Sequence, residues 1–163
     1  MRFLKGQSAM EYLMTYGWAI VIVIIVAAAL VALGFFDVPT PEAATGFELG
    51  APAAGSWNLD ASDGSFAFRM TSSKSYNVRI TGITVENAAG TDCTVPLVNG
   101  VDPATTPVSV ATGQTIAVTA NCSVLGLGAG SKYNLNIAFD YDNVDGDFTG
   151  LSDSGTVSGT ASE

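Results

Sequence analysis

Histidine is absent from this sequence, and charged residues make up only 13% of it. A chain without histidine lacks the side chain that most often acts as a general acid or base near neutral pH. No Gly-x-Ser-x-Gly nucleophile motif is present either. The two cysteines fall short of the four ligands that a structural zinc site requires. We therefore expect neither an enzyme nor a bound cofactor or metal.

Basic residues are also scarce, because the chain contains only six, of which four lie after residue 36. Fourteen of the fifteen acidic residues lie in the same part of the chain. An acidic segment repels the phosphate backbone of nucleic acids, so no nucleic acid is expected as a partner. The charge instead favours the solubility of an exposed domain.

Charge is missing altogether between Glu11 and Asp37, where 25 consecutive residues are uncharged. A helix needs about 20 apolar residues to cross the hydrocarbon core of a bilayer, so this run is long enough to span a membrane. Arg2 and Lys5 precede the run, whereas acidic residues follow it. The positive-inside rule then places the N-terminus in the cytoplasm and the segment after Asp37 outside.

The junction Lys5-Gly6-Gln7 precedes the apolar run, and Glu11 follows five residues after the glycine. A secretory signal would carry a shorter apolar region of about 7–15 residues, although the small residues near position 34 imitate its cleavage site. A plain signal anchor would explain the span but not the junction. The junction and the helix together resemble the class III signal of archaeal type IV pilins.

The resemblance implies that a membrane-bound prepilin peptidase cuts between Gly6 and Gln7, on the cytoplasmic side. The apolar helix would then remain on the mature protein. Part of the family reads Gln-x-Ser-x-Glu and has leucine four residues after the glutamate. Here Ala9 and Thr15 occupy these two positions, which leaves the peptidase subtype open.

Cleavage would create a new α-amino group on Gln7, which is largely protonated near neutral pH. Burying that charge among apolar helices costs several kcal/mol, and an opposite charge offsets much of this cost. Glu11 is within reach of the amine of its own chain or of a neighbouring one. The resemblance favours the neighbour, where the pair would set the register of assembly. The alternative is that Glu11 complements the helix dipole, which is worth about 0.3–1 kcal/mol.

The resemblance further implies a homo-oligomeric filament that assembles through the N-terminal helix. Its other partners would be the prepilin peptidase, the pilus assembly platform protein and its ATPase. The subunit would reside in the cell membrane before assembly and in an extracellular surface filament afterwards, and surface adhesion is the expected role. A membrane-anchored or minor-tip binding subunit, adhesin-like, is the alternative. An archaellin is less favoured, because the Gly-Ile-Gly-Thr-rich pattern of that family is not found in the apolar run.

The helix pattern ends after Phe36, where prolines and glycines follow, and strand signals begin at Ser65. Residues 133–141 alternate between apolar and polar side chains, whereas residues 76–87 change parity at Gly82, which indicates a bulge there. Six or seven short strands in about 100 residues indicate an antiparallel sandwich or a small barrel. The expected strands lie within 65–70, 76–87, 93–98, 107–111, 114–120, 133–141 and 150–160.

These signals predict an α+β chain, in which a long N-terminal apolar helix is followed by a β-rich head that resembles an antiparallel sandwich. Such a head on a single apolar helix again resembles an archaeal pilin. The predicted segments are a cleaved leader (1–6), a transmembrane and filament-core helix (7–36), a connector (37–64) and the head (65–163).

Two residues of the head, Cys93 and Cys122, are the only cysteines. Export to an oxidising compartment favours a disulfide between them, and two buried thiols are the alternative. Closing a loop of about 30 residues would stabilise the head by roughly 3–4 kcal/mol in the chain-entropy model. Asn121, in the sequence Asn-Cys-Ser, is a candidate glycosylation site, but the middle cysteine disfavours modification.

Two further stretches invite a binding interpretation. Residues 140–147 contain four aspartates, which suggests calcium, but Val144 stands where an EF-hand loop needs an oxygen ligand. A tight turn at Asp145-Gly146 is the favoured interpretation. The glycine-rich residues 125–130 lack the basic residue of a phosphate-binding loop, so we expect a flexible loop.

Overall fold

The computed structural model describes residues 5–35 and 42–163, without the side chains of residues 5–9 and 13. The chain divides into two compact units, Met1–Pro39 and Thr40–Glu163. The described part of the first unit is one helix, and the second unit is built from antiparallel β-strands. The predicted combination of an apolar N-terminal helix with a β-rich antiparallel domain is therefore confirmed.

The helix of the first unit, α1, comprises Lys5–Ala32 and is 28 residues long. At a rise of 1.5 Å per residue it extends for about 42 Å. Gly34 follows the last turn in the left-handed conformation, with φ of 68°. The amides of Gly34 and Phe35 donate to the carbonyls of Val31 and Leu30 at 3.1 and 3.0 Å. This pair of bonds is a Schellman motif, which ends the helix shortly before the predicted boundary.

The described residues of the second unit, the head, form ten strands and one 3-10 helix. The strands are β1 (Ala43–Thr45), β2 (Gly50–Ala51), β3 (Trp57–Leu59), β4 (Ser65–Ser72), β5 (Val78–Asn87), β6 (Thr94–Val98), β7 (Val108–Val110), β8 (Thr115–Asn121), β9 (Lys132–Asn143) and β10 (Phe148–Thr160). The 3-10 helix, Ser123–Leu125, lies between β8 and β9.

The strands form two antiparallel sheets. In the first, which we call the β9 sheet, the order is β1-β10-β9-β5-β7. In the second, the β4 sheet, the order is β2-β4-β8-β6, and β3 also pairs with β4. The pairing of β5 with β9 shifts register between Ile80 and Gly82, so the predicted bulge at Gly82 is confirmed.

One hydrophobic core lies between the sheets and contains alternate residues from both of them. The ring of Phe47 lies 5.1 Å from that of Phe68 on β4 and 6.5 Å from that of Phe139 on β9, measured between centroids. Phe47 therefore contacts both sheets. The face of β9 that was expected to be apolar is buried along its whole length: Tyr133, Leu135, Ile137, Phe139 and Tyr141.

The structure differs from the predicted boundary of the head at residue 65. The segment expected to be a connector supplies β1, β2 and β3, and the head begins at Thr40. Leu49, Trp57 and Leu59 are buried, and Trp57 Nε1 donates to the Ser158 carbonyl at 3.1 Å. Each strand is only two or three residues long, so the alternation that identifies a strand is too short to detect. Residues 36–41, including Asp37, lie outside the described residues.

Cys93 and Cys122 form the expected disulfide, and the described part of the chain contains no free cysteine. Cys93 follows β5, and its amide donates to the Val85 carbonyl of that strand at 2.7 Å. Cys122 follows β8, and its amide donates to the Gly64 carbonyl at 2.7 Å. Cys93 also directly precedes β6, whose Thr94 pairs with Asn121 of β8, so the bond joins the adjoining ends of two neighbouring strands of the β4 sheet.

Candidate functional site

The candidate processing and assembly residues lie in the first turns of α1. The backbones of Gly6 and Gln7 are helical, and the side chain of Gln7 is not among those described. Glu11 follows Gln7 by four residues, and residues four apart on a helix are neighbours on one face. Gln7 and Glu11 therefore lie on the same side of the helix.

The Glu11 side chain is exposed on the isolated chain and forms no ion pair with any side chain that the structure describes. The first turn of α1 contains no acidic residue, so Glu11 lies beyond the turn in which the helix dipole acts most strongly. An exposed carboxylate with no ion pair among the described side chains is compatible with a contact to a second chain.

The polar and aromatic side chains near Glu11 make contacts within α1. The Thr15 hydroxyl donates to the Glu11 carbonyl at 2.8 Å, which satisfies its hydrogen bond in apolar surroundings. The rings of Tyr12 and Tyr16 lie one turn apart, with centroids at 4.5 Å. Thr15 is therefore compatible with a buried helix surface, because its hydroxyl already has a hydrogen-bond partner.

The surface of α1 is apolar on every side. Within the described residues, one helix is long and apolar enough to cross a membrane, over Met10–Ala32, and none of its most apolar stretch is buried. Side chains that point in all directions are more than half exposed, among them Met14, Trp18, Ile20, Val23, Ile24, Ile25 and Val31. This surface needs lipid or other protein around it, because water solvates it poorly.

The aspartate-rich stretch at 140–147 comprises the last four residues of β9 and the turn at 144–147 that leads into β10, where the sequence favoured a tight turn. Arg79 donates to Asp142 Oδ2 at 2.8 Å, and the Gly150 amide donates to Asp142 Oδ1 at 3.0 Å. These bonds lower the pKa of Asp142. Asp145 accepts from the Asn77 amide at 2.8 Å. The described residues contain no group of three or more acidic, cysteine or histidine side chains arranged to hold a metal ion.

Asn121, the candidate glycosylation site, is exposed at the end of β8. Its Oδ1 accepts from the Ser123 amide at 3.0 Å, and its Nδ2 donates to the Asp63 carbonyl at 3.4 Å. The nitrogen that would carry a glycan therefore already has a partner. The disulfide at Cys122 also fixes the middle of the sequon.

The glycine-rich loop at 125–130 follows the 3-10 helix and is fixed at both ends. Gly126 is left-handed and closes the 3-10 helix through a bond to the Ser123 carbonyl, and the Gly130 amide donates to the Ala161 carbonyl at 2.9 Å. Shallow clefts of about 250 and 280 Å³ lie beside the loop. Neither combines groups that would suggest a chemical reaction.

Sequence reasoning missed Asp153, a buried carboxylate on β10. The Glu48 amide donates to both of its oxygens at 3.0 and 3.1 Å, and the Leu49 amide donates to Oδ2 at 2.7 Å. Asp153 therefore binds the segment that brings the chain from β1 into the core. The sequence does carry one signal of this role. Asp153 lies four residues before Val157, so both side chains lie on the same, inward-facing side of β10.

Neither protein-family models nor curated proteins give a match to this chain. A functional interpretation therefore depends on the residues of α1 and of the head.

Proposed function

We propose that this chain is a structural subunit of an extracellular filament of the archaeal type IV pilus class, assembled through α1. The observation that supports the proposal most strongly is the junction Lys5-Gly6-Gln7 with Glu11, placed at the start of a helix whose apolar surface is exposed on every side. A bundle of identical helices would cover that surface. A membrane would cover it before assembly.

The composition of α1 supports helix–helix packing as well as insertion. Small residues let helices approach closely, and β-branched residues present stiff surfaces. Both kinds occur in the described helix, with alanines at 27–29 after the isoleucines and valines of residues 20–26. Such a helix can leave lipid for a bundle, because both environments are apolar.

The edges of the sheets in the head argue against assembly by strand addition. β1 and β7, which bound the β9 sheet, are three residues long. In the β4 sheet, β6 contains Pro96 and a register shift between Thr94 and Leu97. Short strands, proline and bulges protect a sheet edge from pairing with another chain. Polymerisation through α1 is therefore the better supported route.

The route to the filament follows from the same residues. A prepilin peptidase cuts between Gly6 and Gln7, and α1 stays in the membrane until the platform protein and its ATPase add the subunit to the filament. The disulfide between Cys93 and Cys122 suits a head that faces an oxidising exterior. Adhesion to surfaces is the role we propose for the filament.

The test is whether the chain is a major component of surface filaments. Filaments sheared from cells are imaged by electron microscopy and their subunits are identified by mass spectrometry. We expect this chain in the sheared fraction, with the filament lost when its gene is removed. A chain found only in the membrane fraction, with filaments unchanged by its removal, would favour a membrane-anchored binding protein instead.

A further inference from the structure

The outward-facing side chains of β4 and β8 form one face of the head, which we call the β4–β8 face. The two strands pair in register along its whole length, so neighbouring side chains lie side by side. All of these residues are exposed except Ala117, which is half-buried. The face comprises Ser65, Ala67, Arg69 and Thr71 from β4, with Thr115, Ala117, Thr119 and Asn121 from β8.

Acidic residues are absent from the β4–β8 face, although the head as a whole is strongly acidic. Elsewhere the described head presents carboxylates on its other sheet and in its loops. The outward side of the β9 sheet carries Glu86 and Asp140, and the turn after β9 carries Asp145 and Asp147. A neighbour with the same charge distribution would meet the least repulsion at the β4–β8 face.

Arg69 gives this face a positive charge. Its side chain is exposed, and it forms no ion pair or hydrogen bond with any side chain that the structure describes. By contrast, Lys74 lies 4.0 Å from Glu48, and Arg79 lies 2.8 Å from Asp142. An unpaired arginine on a flat face can bind a carboxylate from outside through two parallel hydrogen bonds.

The border of the face adds apolar surface. Leu97 of β6 pairs with Thr119 and is half-buried, and Val95 is 69% exposed. Val95 also has a φ of 50°, a left-handed backbone that is rare for a β-branched residue. Such conformations cost energy and occur preferentially at functional positions.

We propose that the β4–β8 face is a contact between heads of neighbouring copies of this chain, with Arg69 opposite a carboxylate of the adjacent head. This proposal rests on the proposed function, because a bundle of α1 helices would hold acidic heads close together. At such distances like charges repel, so at least one of the two surfaces that meet in the contact must lack carboxylates. The arrangement is head-to-tail rather than symmetric, because head-to-tail contacts that do not close into a ring generate a helical filament.

Thiol labelling tests the contact directly, because the described chain has no free cysteine to react. Thr119→Cys introduces a thiol at the centre of the face, and Ser152→Cys introduces a matched thiol at an exposed position of β10. In detergent-dissociated subunits, both should react with a maleimide at similar rates. In filaments, we expect labelling at position 119 to slow by about tenfold or more, because a packed contact excludes solvent. Labelling at position 152 should stay fast.

Charge substitutions provide a second readout. Ala117→Glu places a carboxylate directly opposite Arg69 on the β4–β8 face, and Ala138→Glu places one on the outward side of β9. We expect several-fold fewer filaments for Ala117→Glu, because Arg69 then pairs within its own head and is lost to the adjacent one. Ala138→Glu should assemble as the unchanged protein does.

Filaments whose position 119 labels as fast as dissociated subunits, together with equal assembly of the two glutamate variants, would overturn the proposed contact. That outcome would leave the filament itself intact. Failure of the unchanged chain to enter filaments would instead contradict the proposed function.

Discussion

At the scale of single residues, Glu11 is the side chain on which the proposed assembly depends most. It is exposed on the isolated chain and lies on the same side of α1 as Gln7. If it pairs with the Gln7 amine of an adjacent subunit, removing its charge leaves that amine buried without a partner. The cost is several kcal/mol for each contact, and a filament repeats the contact at every subunit.

We therefore expect Glu11→Gln to give processed, membrane-resident protein but few or no filaments. Membrane insertion should not suffer, because a carboxylate near the hydrocarbon region is itself unfavourable. Glu163→Gln, at an exposed position of the head, is the matched control and should assemble normally. Filaments are counted by electron microscopy beside an immunoblot of the processed subunit. Normal filament numbers for Glu11→Gln would exclude the pairing role.

Asp153 is the residue that fixes the entry of the chain into the head. Asp153→Asn keeps the shape of the side chain but replaces one accepting oxygen with an NH2 group, which then lies against the Glu48 amide so that two donors face each other. A buried donor without an acceptor costs about 1–3 kcal/mol, so the free energy of unfolding should fall by that amount. Asp147→Asn, in the exposed turn, should change it by less than about 0.5 kcal/mol. Urea unfolding of the full chain in detergent measures both, and equal losses would contradict the assigned role.

At the scale of elements, the disulfide links the segment after β5 to the end of β8. The two cysteines are 29 residues apart in the sequence. The chain-entropy model gives a stabilisation of roughly 3–4 kcal/mol for a loop of this length. We expect the double substitution of Cys93 and Cys122 by alanine to lower the free energy of unfolding by that amount. The same loss should appear when the unchanged protein is unfolded in the presence of a reductant. If neither experiment lowers the free energy of unfolding, the estimate is wrong.

Strand β9 makes the head sensitive to alkali. Burial raises the pKa of Tyr133 and of Tyr141 to about 12, and a hydrogen bond with Tyr76 contributes at Tyr141. Because the folded protein holds these protons more tightly than a free tyrosine with its pKa of 10.0, the stabilisation is complete below pH 10. It is lost as the pH rises from there towards 12.

We expect the free energy of unfolding to fall steadily over this alkaline range. Tyr133→Phe should make the fall shallower, because it removes one of the two titrating groups. Tyr16→Phe, in α1, should leave the pH dependence of the head unchanged. Unfolding curves at a series of pH values, followed by circular dichroism, make the comparison. If the free energy of unfolding falls equally steeply with pH in Tyr133→Phe and in the unchanged protein, burial of Tyr133 does not have the proposed effect.

The elements differ in how far the sequence predicts them. The alternation in β9 and the parity change at Gly82 identify β9 and the bulge in β5, because many residues repeat one pattern. The strands β1 to β3 escape prediction because each is only two or three residues long, and β1 in addition pairs with β10, more than 100 residues later in the chain. Asp153 escapes because its partners lie more than 100 residues earlier in the chain. Glu11 stands out in the sequence as a lone charge, but no single chain contains its proposed partner.

At the scale of the whole molecule, the chain combines two surfaces that need different environments. The surface of α1 is apolar and exposed, whereas the head is acidic and encloses its own core. A soluble monomer would leave the helix surface in water, which is unfavourable over so large an area. A filament satisfies both surfaces, because identical helices cover one another while the heads remain in water.

The most direct test of this account is the N-terminal sequence of the protein recovered from sheared surface filaments. We expect a start at Gln7, with the first six residues removed and α1 retained. Gly6→Leu should prevent the cut, because the peptidase must accept a small side chain there, and the unprocessed chain should stay out of filaments. A mature protein that starts at Met1, or near residue 34 after loss of the helix, would contradict the account.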